Sequence, residues 1–390
     1  ASFFILFAAY GVRYSYGVFF TAMASELHFN AATTSAAYSI SFLLEGVFSL
    51  ISGGLADRFG PRSVLTVSTL LVASGYGLMY FVHSAWQLYL FYGIVIGIGM
   101  GAMFVPLLSI TARWFNLRRN LMTGLVASGA GVGMLIVPTS SAHLIVNQGW
   151  RLSFVLMGLL VLVVVLFASQ FLKRDPAVIG AVPYGEAKQP VSAPAVSGGL
   201  SLKEALRTPQ FWIIFAMIFC YGFYSMSINV HIVPDAIHAG MSATSAANIL
   251  AVSGALLVAG RIVLGNSADR VGNQPIFVLG FILSTVALFG IVLTQAYWVF
   301  FVFAAVIGLS QGGIGVSQSP LVATLFGLKS HGSIYGCIGL GFTLGAALGP
   351  YFTGYIFDMT GSYHIALLVC AFASIAALIF SFFIKPQRLY

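Results

Sequence analysis

The stretch GGLADRFGPR, residues 53–62, returns in weakened form as GNSADRVGNQ, residues 265–274. Asp57 and Asp269 are 212 residues apart, and at the same offset Arg58 meets Arg270, Gly60 meets Gly272 and Trp86 meets Trp298. Gly124, Gly129, Gly133 and Pro138 likewise meet Gly336, Gly341, Gly345 and Pro350. So many matches of Gly, Pro and Trp at one period indicate a duplicated unit, and the unit is half the chain.

That unit is built for lipid. Of 390 residues, 59% are hydrophobic and 7% charged, and the mean hydropathy is +0.99. A soluble fold cannot hide so much apolar surface, and the hydrocarbon of a bilayer admits only helices or closed barrels. The apolar runs are too long and continuous for the alternating strands of a barrel. A span needs about 20 helical residues, and twelve helices are predicted, at 2–22, 36–56, 63–82, 87–112, 120–145, 152–172, 210–234, 245–267, 275–294, 297–325, 333–356 and 362–384. The expected fold is an all-α membrane protein of two pseudo-symmetric six-helix bundles, 1–172 and 210–390. Between them, 173–209 is rich in Pro, Gly, Ser and charge and reads as a linker with a short helix at 201–207. Parallel halves enclosing a midplane site are an architecture of secondary transporters.

Orientation follows from the lysines and arginines. With twelve helices, the loops after helices 2, 4, 6, 8 and 10 share a side with both termini. That side receives Arg58, Arg62, Arg113, Arg118, Arg119, Lys173, Arg174, Lys188, Lys203, Arg207, Arg270, Lys329, Lys385 and Arg388, while the other receives Arg151 alone. This positive-inside bias predicts cytoplasmic termini and a place in a plasma membrane, the inner membrane of a bacterium. The net charge of +8 is thereby a matter of topology and gives no reason to invoke nucleic acid. The chain opens inside its first apolar run, so a longer N-terminus is expected, and no signal-peptide pattern follows.

Enzymatic chemistry has no residues to carry it. Cys220, Cys337 and Cys370 show neither metal spacing nor a pairing signature and read as inert buried residues. No Cys/His cluster, phosphate-cradling loop or nucleophile elbow occurs. Glycine strings such as GIVIGIGMGA (93–102) lie inside predicted membrane helices and serve close packing. No cofactor and no metal are expected.

Two basic residues remain, Arg13 and Arg261, and both fall within helices. An arginine at mid-bilayer costs about 2.5–3.5 kcal/mol on insertion scales, so something must offset it. Arg261, in LLVAGRIVLG (256–265), has no acid beside it in the apolar part of its helix. A guanidinium presents a planar fork to a carboxylate and stays charged, so water in a cavity, with an anion when one is bound, would offset the cost. Arg13 and Glu45 fall at similar depth on antiparallel helices. They read either as a mutual ion pair or as a protonatable carboxylate assisted by an arginine. Asp235 and His231, in NVHIVPDAIH (229–238), are rival proton sites, and His143 reads as a helix-end residue.

GGLADRFGPRSVL (53–65) resembles the signature loop of the major facilitator superfamily, and the likeness extends over all twelve helices. RWFNLRRNLMTGLVASGAGVG (113–133) with GWRLSF (149–154) resembles the helix 4–5 signature of monocarboxylate transporters. LRTPQFW (206–212), GVRYSY (11–16) and the GR ahead of SADR resemble the oxalate:formate antiporter branch. The resemblance implies the major facilitator fold, with Arg261 at the central cavity holding the substrate carboxylate. Tyr14 matches a tyrosine lining the oxalate site, and Phe104, Gln311 and Phe342 occupy lining positions with changed side chains. Oxalate carriers place a second cation, a lysine, where this chain has Phe342, which implies one carboxylate on an apolar remainder. Animal monocarboxylate transporters carry an aspartate one turn before the arginine, where this chain has Leu257. Asp57, Arg58, Asp269 and Arg270 are expected to gate, bracketing helix ends on the cytoplasmic face without touching substrate.

The sequence therefore predicts a monomeric carrier of a small monocarboxylate such as lactate or pyruvate, working by alternating access with a proton as companion. The alternative is an organic-anion exchanger of the oxalate:formate type. A sensor on a transport fold would need a signalling surface that neither linker nor tail supplies, and no sugar-binding cluster of acids and amides is present.

Overall fold

An apolar run in lipid must satisfy its backbone polar groups within itself, and the helix does so. The structure, a computed structural model, describes residues 1–115, 119–173, 176, 180, 184, 199–294, 296–327 and 330–384. Within the helices, the side chains at 50, 53–54, 56–57, 105, 108–109, 112–113, 119–121, 123, 269 and 331–332 lie outside the described residues. Among the described residues twelve helical passes follow one another. They are α1 (Ser2–Leu27, interrupted at Ser15), α2 (Ala31–Phe59), α3 (Pro61–Leu78) and α4 (Ala85–Met100 continued by Val105–Trp114). Next come α5 (119–148) and α6 (150–170), then α7 (Pro209–His238), α8 (Ala243–Val271) and α9 (Asn273–Leu293). α10 (Tyr297–Phe326), α11 (His331–Thr360) and α12 (His364–Phe382) complete the chain. Among the described residues nine helical stretches are long and apolar enough to cross a bilayer, one of them, Gly124–Gln170, long enough for two passes. α2 and the divided α4 make up the twelve.

Three details depart from the predicted boundaries. α4 breaks at 101–104, after a π-helical stretch at Tyr89–Ile96, where the sequence predicts one run. α5 and α6 meet with no loop, the reversal being taken up at Gly149 (φ 77°). The short linker helix is a single turn, Leu202–Ala205. Most of the expected linker, 174–175, 177–179, 181–183 and 185–198, lies outside the described residues.

The repeat is visible as geometry. Gly60 (φ 83°) ends α2 and Gly272 (φ 89°) ends α8, each in a left-handed conformation that favours glycine and lets the next helix start at once. α1 lies on α5 as α7 lies on α11. A Cβ at Gly129 or Gly133 would collide with the carbonyls of Phe3 and Phe7, and one at Gly341 or Gly345 with those of Phe215 and Phe219. Phe3 and Phe215, like Phe7 and Phe219, are again 212 residues apart. Small residues thus let backbones touch where apolar burial between helices gains nothing over lipid. Trp86 and Trp298, exposed on the outside, sit at the level where amphipathic rings favour the membrane interface.

Buried side chains gather into two clusters, one drawn mainly from residues 5–172 and the other mainly from 205–384. The bundles meet through α2 on α11, α5 on α8 and α1 on α7. Among the described residues, side-chain hydrogen bonds between bundles fall at mid-helix or at the far end, away from the loops bearing Arg58 and Arg270. At the far end Ala31 and Ala32 N–H donate to Asp358, His231 meets Ser35, and Thr139 donates to Asn248. Gly17 abuts the carbonyls of Val230 and Asn229 there. Replacing Gly345 by leucine drives a side chain into the Phe219 backbone, a cost of roughly 1–3 kcal/mol or more. Gly336→Ala meets open space in the same helix. Thermal unfolding in detergent is expected to show a clear loss of Tm for Gly345→Leu and none for Gly336→Ala.

Candidate functional site at the interface of the halves

Arg261 is held by its backbone. A Cβ at Gly260 would strike the Leu309 carbonyl of α10, and one at Gly312 would strike the Leu257 carbonyl and Arg261 N, so α8 and α10 lie backbone to backbone at this level. One turn or two earlier, Gly254 of α8 lies against Gly131 and Leu135 of α5, which belongs to the other bundle. The half-buried guanidinium then reaches across, and Nη1 donates to the carbonyl of Ala127 on α5. Among the described residues no carboxylate lies within 4.0 Å of it. A carbonyl is a dipole rather than a counter-charge. Among the described residues the cation thus has no counter-charge, and the Ala127 carbonyl takes one of its five N–H donors.

Two tyrosines act on it. The phenols of Tyr14 on α1 and Tyr221 on α7 lie within electrostatic reach of Arg261. Phe342 of α11 packs on Tyr221 at 5.5 Å between ring centroids and on Phe42 at 5.9 Å. Tyr14 contacts Tyr10 at 6.2 Å, and Tyr10 contacts Phe104, set at the break in α4, at 5.7 Å. One cation thus has a phenol from each bundle within electrostatic reach, and apolar rings pack on those phenols or their neighbours. Gln311 sits one residue before the Gly312 contact and lines a small crevice with Asn229 and Ser253.

Arg13 and Glu45 are paired. Nη2 lies 2.9 Å from Oε2, both side chains are nearly inaccessible, and Arg13 Nη1 donates to Ser41 Oγ at 3.2 Å. The guanidinium also stands over the rings of Tyr38 and Phe42, at 5.0 and 4.9 Å. Tyr10 donates to Glu45 Oε1 at 2.8 Å. Tyr14 is within electrostatic reach of Glu45, Arg13 and Arg261 together, which joins the pair to the lone cation. Sequence reading overlooked Tyr10 and Tyr221. The signal for Tyr10 was present, since Tyr10, Arg13 and Tyr14 share one face of α1 by their i, i+3, i+4 spacing.

The other candidates lie elsewhere. His231 stands ten residues beyond Tyr221 on α7, roughly 15 Å along the axis, in the far-end seam. Its Nε2 is 2.9 Å from the Pro350 carbonyl and 3.0 Å from Ser35 Oγ, and its Nδ1 is 3.3 Å from the Tyr363 hydroxyl. A carbonyl only accepts, so this network implies a hydrogen on Nε2 and a bare Nδ1 that accepts from Tyr363. Asp235, one turn further, is buried in the same seam. Burial first, then the nearby Asp235 and Asp358 carboxylates, pushes the Tyr363 phenol well above its ordinary range. Of the residues expected to gate, Arg58 is exposed over the Phe59 ring at 5.2 Å and Arg270 is exposed. The Asp57 and Asp269 side chains lie outside the described residues.

Twelve helical passes among the described residues, in two bundles that repeat glycine contacts at one sequence offset, with a cation at their interface, point to a membrane transporter of known architecture. The chain belongs to the Major Facilitator Superfamily, whose family model matches residues 2–294 and again 232–389. It is 29% identical to human monocarboxylate transporter 11 over 385 residues, covering 95% of this chain and 78% of that protein. It is 26% identical to the oxalate:formate antiporter of Oxalobacter formigenes over 392 residues, covering 97% and 88%. A bacterial homologue of the human lysosomal transporter Spinster, solved in an inward-facing and occupied conformation, superposes with a TM-score of 0.78 over 100% of this chain and 96% of that one, at 14% identity.

Within this fold the Arg13–Glu45 pair should behave as a buried unit. Removing one partner leaves an uncompensated charge, about 3–5 kcal/mol, whereas replacing both with apolar residues of similar size costs far less. In a double-mutant cycle on thermal stability, Arg13→Met and Glu45→Met are each expected to be strongly destabilising and the double substitution milder than either.

Proposed function

We propose that this chain carries a small monocarboxylate across the membrane by alternating access, with its carboxylate on Arg261 and a proton as companion. The observation that carries the reading is the unbalanced Arg261 cation among Tyr14, Tyr221 and Phe342. A single cation suits a single carboxylate, two phenols donate to its oxygens or to a hydroxyl, and Phe342 encloses an apolar remainder. The names of two relatives, a monocarboxylate transporter and an oxalate:formate antiporter, support the substrate class. Residues 1–172 and 210–390 are proposed to rock as two units about the site, with the basic loops and both termini in the cytoplasm. Arg58 and Arg270, with Asp57 and Asp269, would act at the loops that part and close, and the monomer holds a whole pathway.

Glu45 is the proposed proton carrier, since Tyr10 and Tyr14 connect it to Arg261, while His231 and Asp235 sit in the far-end seam. A second reading, exchange of one organic anion for another, is favoured by Leu257 one turn before Arg261 and by the pairing of Glu45 with Arg13. Labelled lactate uptake into proteoliposomes separates the two. Symport gives gradient-driven accumulation that Glu45→Gln uncouples, and exchange gives uptake that ignores the gradient and requires an internal organic anion. Either way Arg261→Ala is expected to lower uptake at least a hundredfold and Arg261→Lys to restore little of it, the bidentate fork being lost. Uptake unchanged by Arg261→Ala would falsify the site.

A further inference from the structure

One contact in the far-end seam serves neither the substrate nor a proton. The first intrahelical bond of α2 runs from Thr34 N–H to the Asn30 carbonyl at 3.1 Å, which makes Asn30 the cap residue. The N–H groups of Ala31, Ala32 and Thr33 then have no partner inside the helix. Thr33 N–H donates to the Asn30 side-chain oxygen at 2.7 Å, in the manner of an ordinary cap. Ala31 and Ala32 N–H donate instead to the two oxygens of one carboxylate, Asp358, at 2.8 and 2.7 Å. Asp358 stands near the end of α11, in the other bundle.

The packing aims it there. Gly354, one turn before Asp358, lies against the Ala31 carbonyl and Ser35, where a Cβ would meet atoms at 2.7 and 2.6 Å. α11 thus rides on the first turns of α2, and the next turn carries the carboxylate over the open amides. A negative charge at this terminus also meets the positive end of the helix dipole. No part of the first bundle duplicates the contact, since the residue 212 positions before Asp358 is Val146.

We propose that Asp358 is a latch on the closed far end. A helix of one bundle is capped by a carboxylate of the other, so the cap exists only while the bundles touch there. Parting them returns two adjacent N–H groups and a carboxylate to water, whereas the Asn30 cap, within one bundle, persists in either arrangement. The latch holds whatever solute the chain carries.

Spin labels at Ser25 and His364, both exposed at the far end on opposite bundles, report the separation by pulsed electron–electron resonance in a background with Cys220, Cys337 and Cys370 changed to alanine. Asp358→Ala is expected to raise the ratio of parted to closed conformers about fivefold, the effect of a lost helix cap, and Asp358→Asn by less. Asn30→Ala is expected to lower thermal stability and leave the ratio unchanged. Should Asp358→Ala not yield monodisperse protein, the isosteric Asp358→Asn carries the comparison. Distance distributions that superpose for parent and Asp358 variants overturn the proposal, and so does an equal shift in Asn30→Ala.

Discussion

A guanidinium that no described carboxylate balances, set between two bundles in a low-dielectric interior, is the constraint around which the molecule is organised. Such a charge persists only where water, dipoles or a mobile anion can reach it. The fold supplies a dipole. Glycines bring α8 against α10 and α5, so the arginine rises from a fixed backbone and finds the Ala127 carbonyl across the interface. The phenols of Tyr14 and Tyr221 lie within electrostatic reach, and on the reading proposed above an anion supplies the missing counter-charge.

The second buried charge shows the contrasting solution. Arg13 is neutralised on the spot by Glu45, and the pair is fastened by Ser41, Tyr10 and two ring faces. An ion pair so enclosed keeps its shape and does not call for a ligand. The two arginines differ in whether a described acid lies beside them.

Much of this is legible in the amino-acid sequence. Twelve spans follow from hydropathy, and the duplication follows from GGLADRFGPR and its echo, because Gly60 and Gly272 each make a reversal that other residues resist. Arg261 stands out because charge in an apolar helix is expensive. Other features are not legible, for physical reasons. The break in α4 and the loop-free turn at Gly149 depend on local backbone choices that hydropathy averages away. Tyr221 and Tyr10 are two among seventeen tyrosines, and only tertiary packing shows which of them face a charge. Asp358 reads as a solvated residue in its own helix, since its partners are 326 and 327 positions away in sequence.

The duplication has an electrical consequence. Glu45 and Leu257 occupy equivalent positions of the two repeats, as do Arg13 and Ser225, and Ser49 and Arg261. One repeat therefore contributes no net charge at the midplane and the other contributes one positive charge. On the symport reading proposed above, the empty interior carries one positive charge, and the loaded one, having taken up a proton and a monocarboxylate together, carries the same. Membrane voltage then acts on both crossings in opposite senses, at about 2.3 kcal/mol per charge for a full 100 mV, so that a complete cycle moves no net charge.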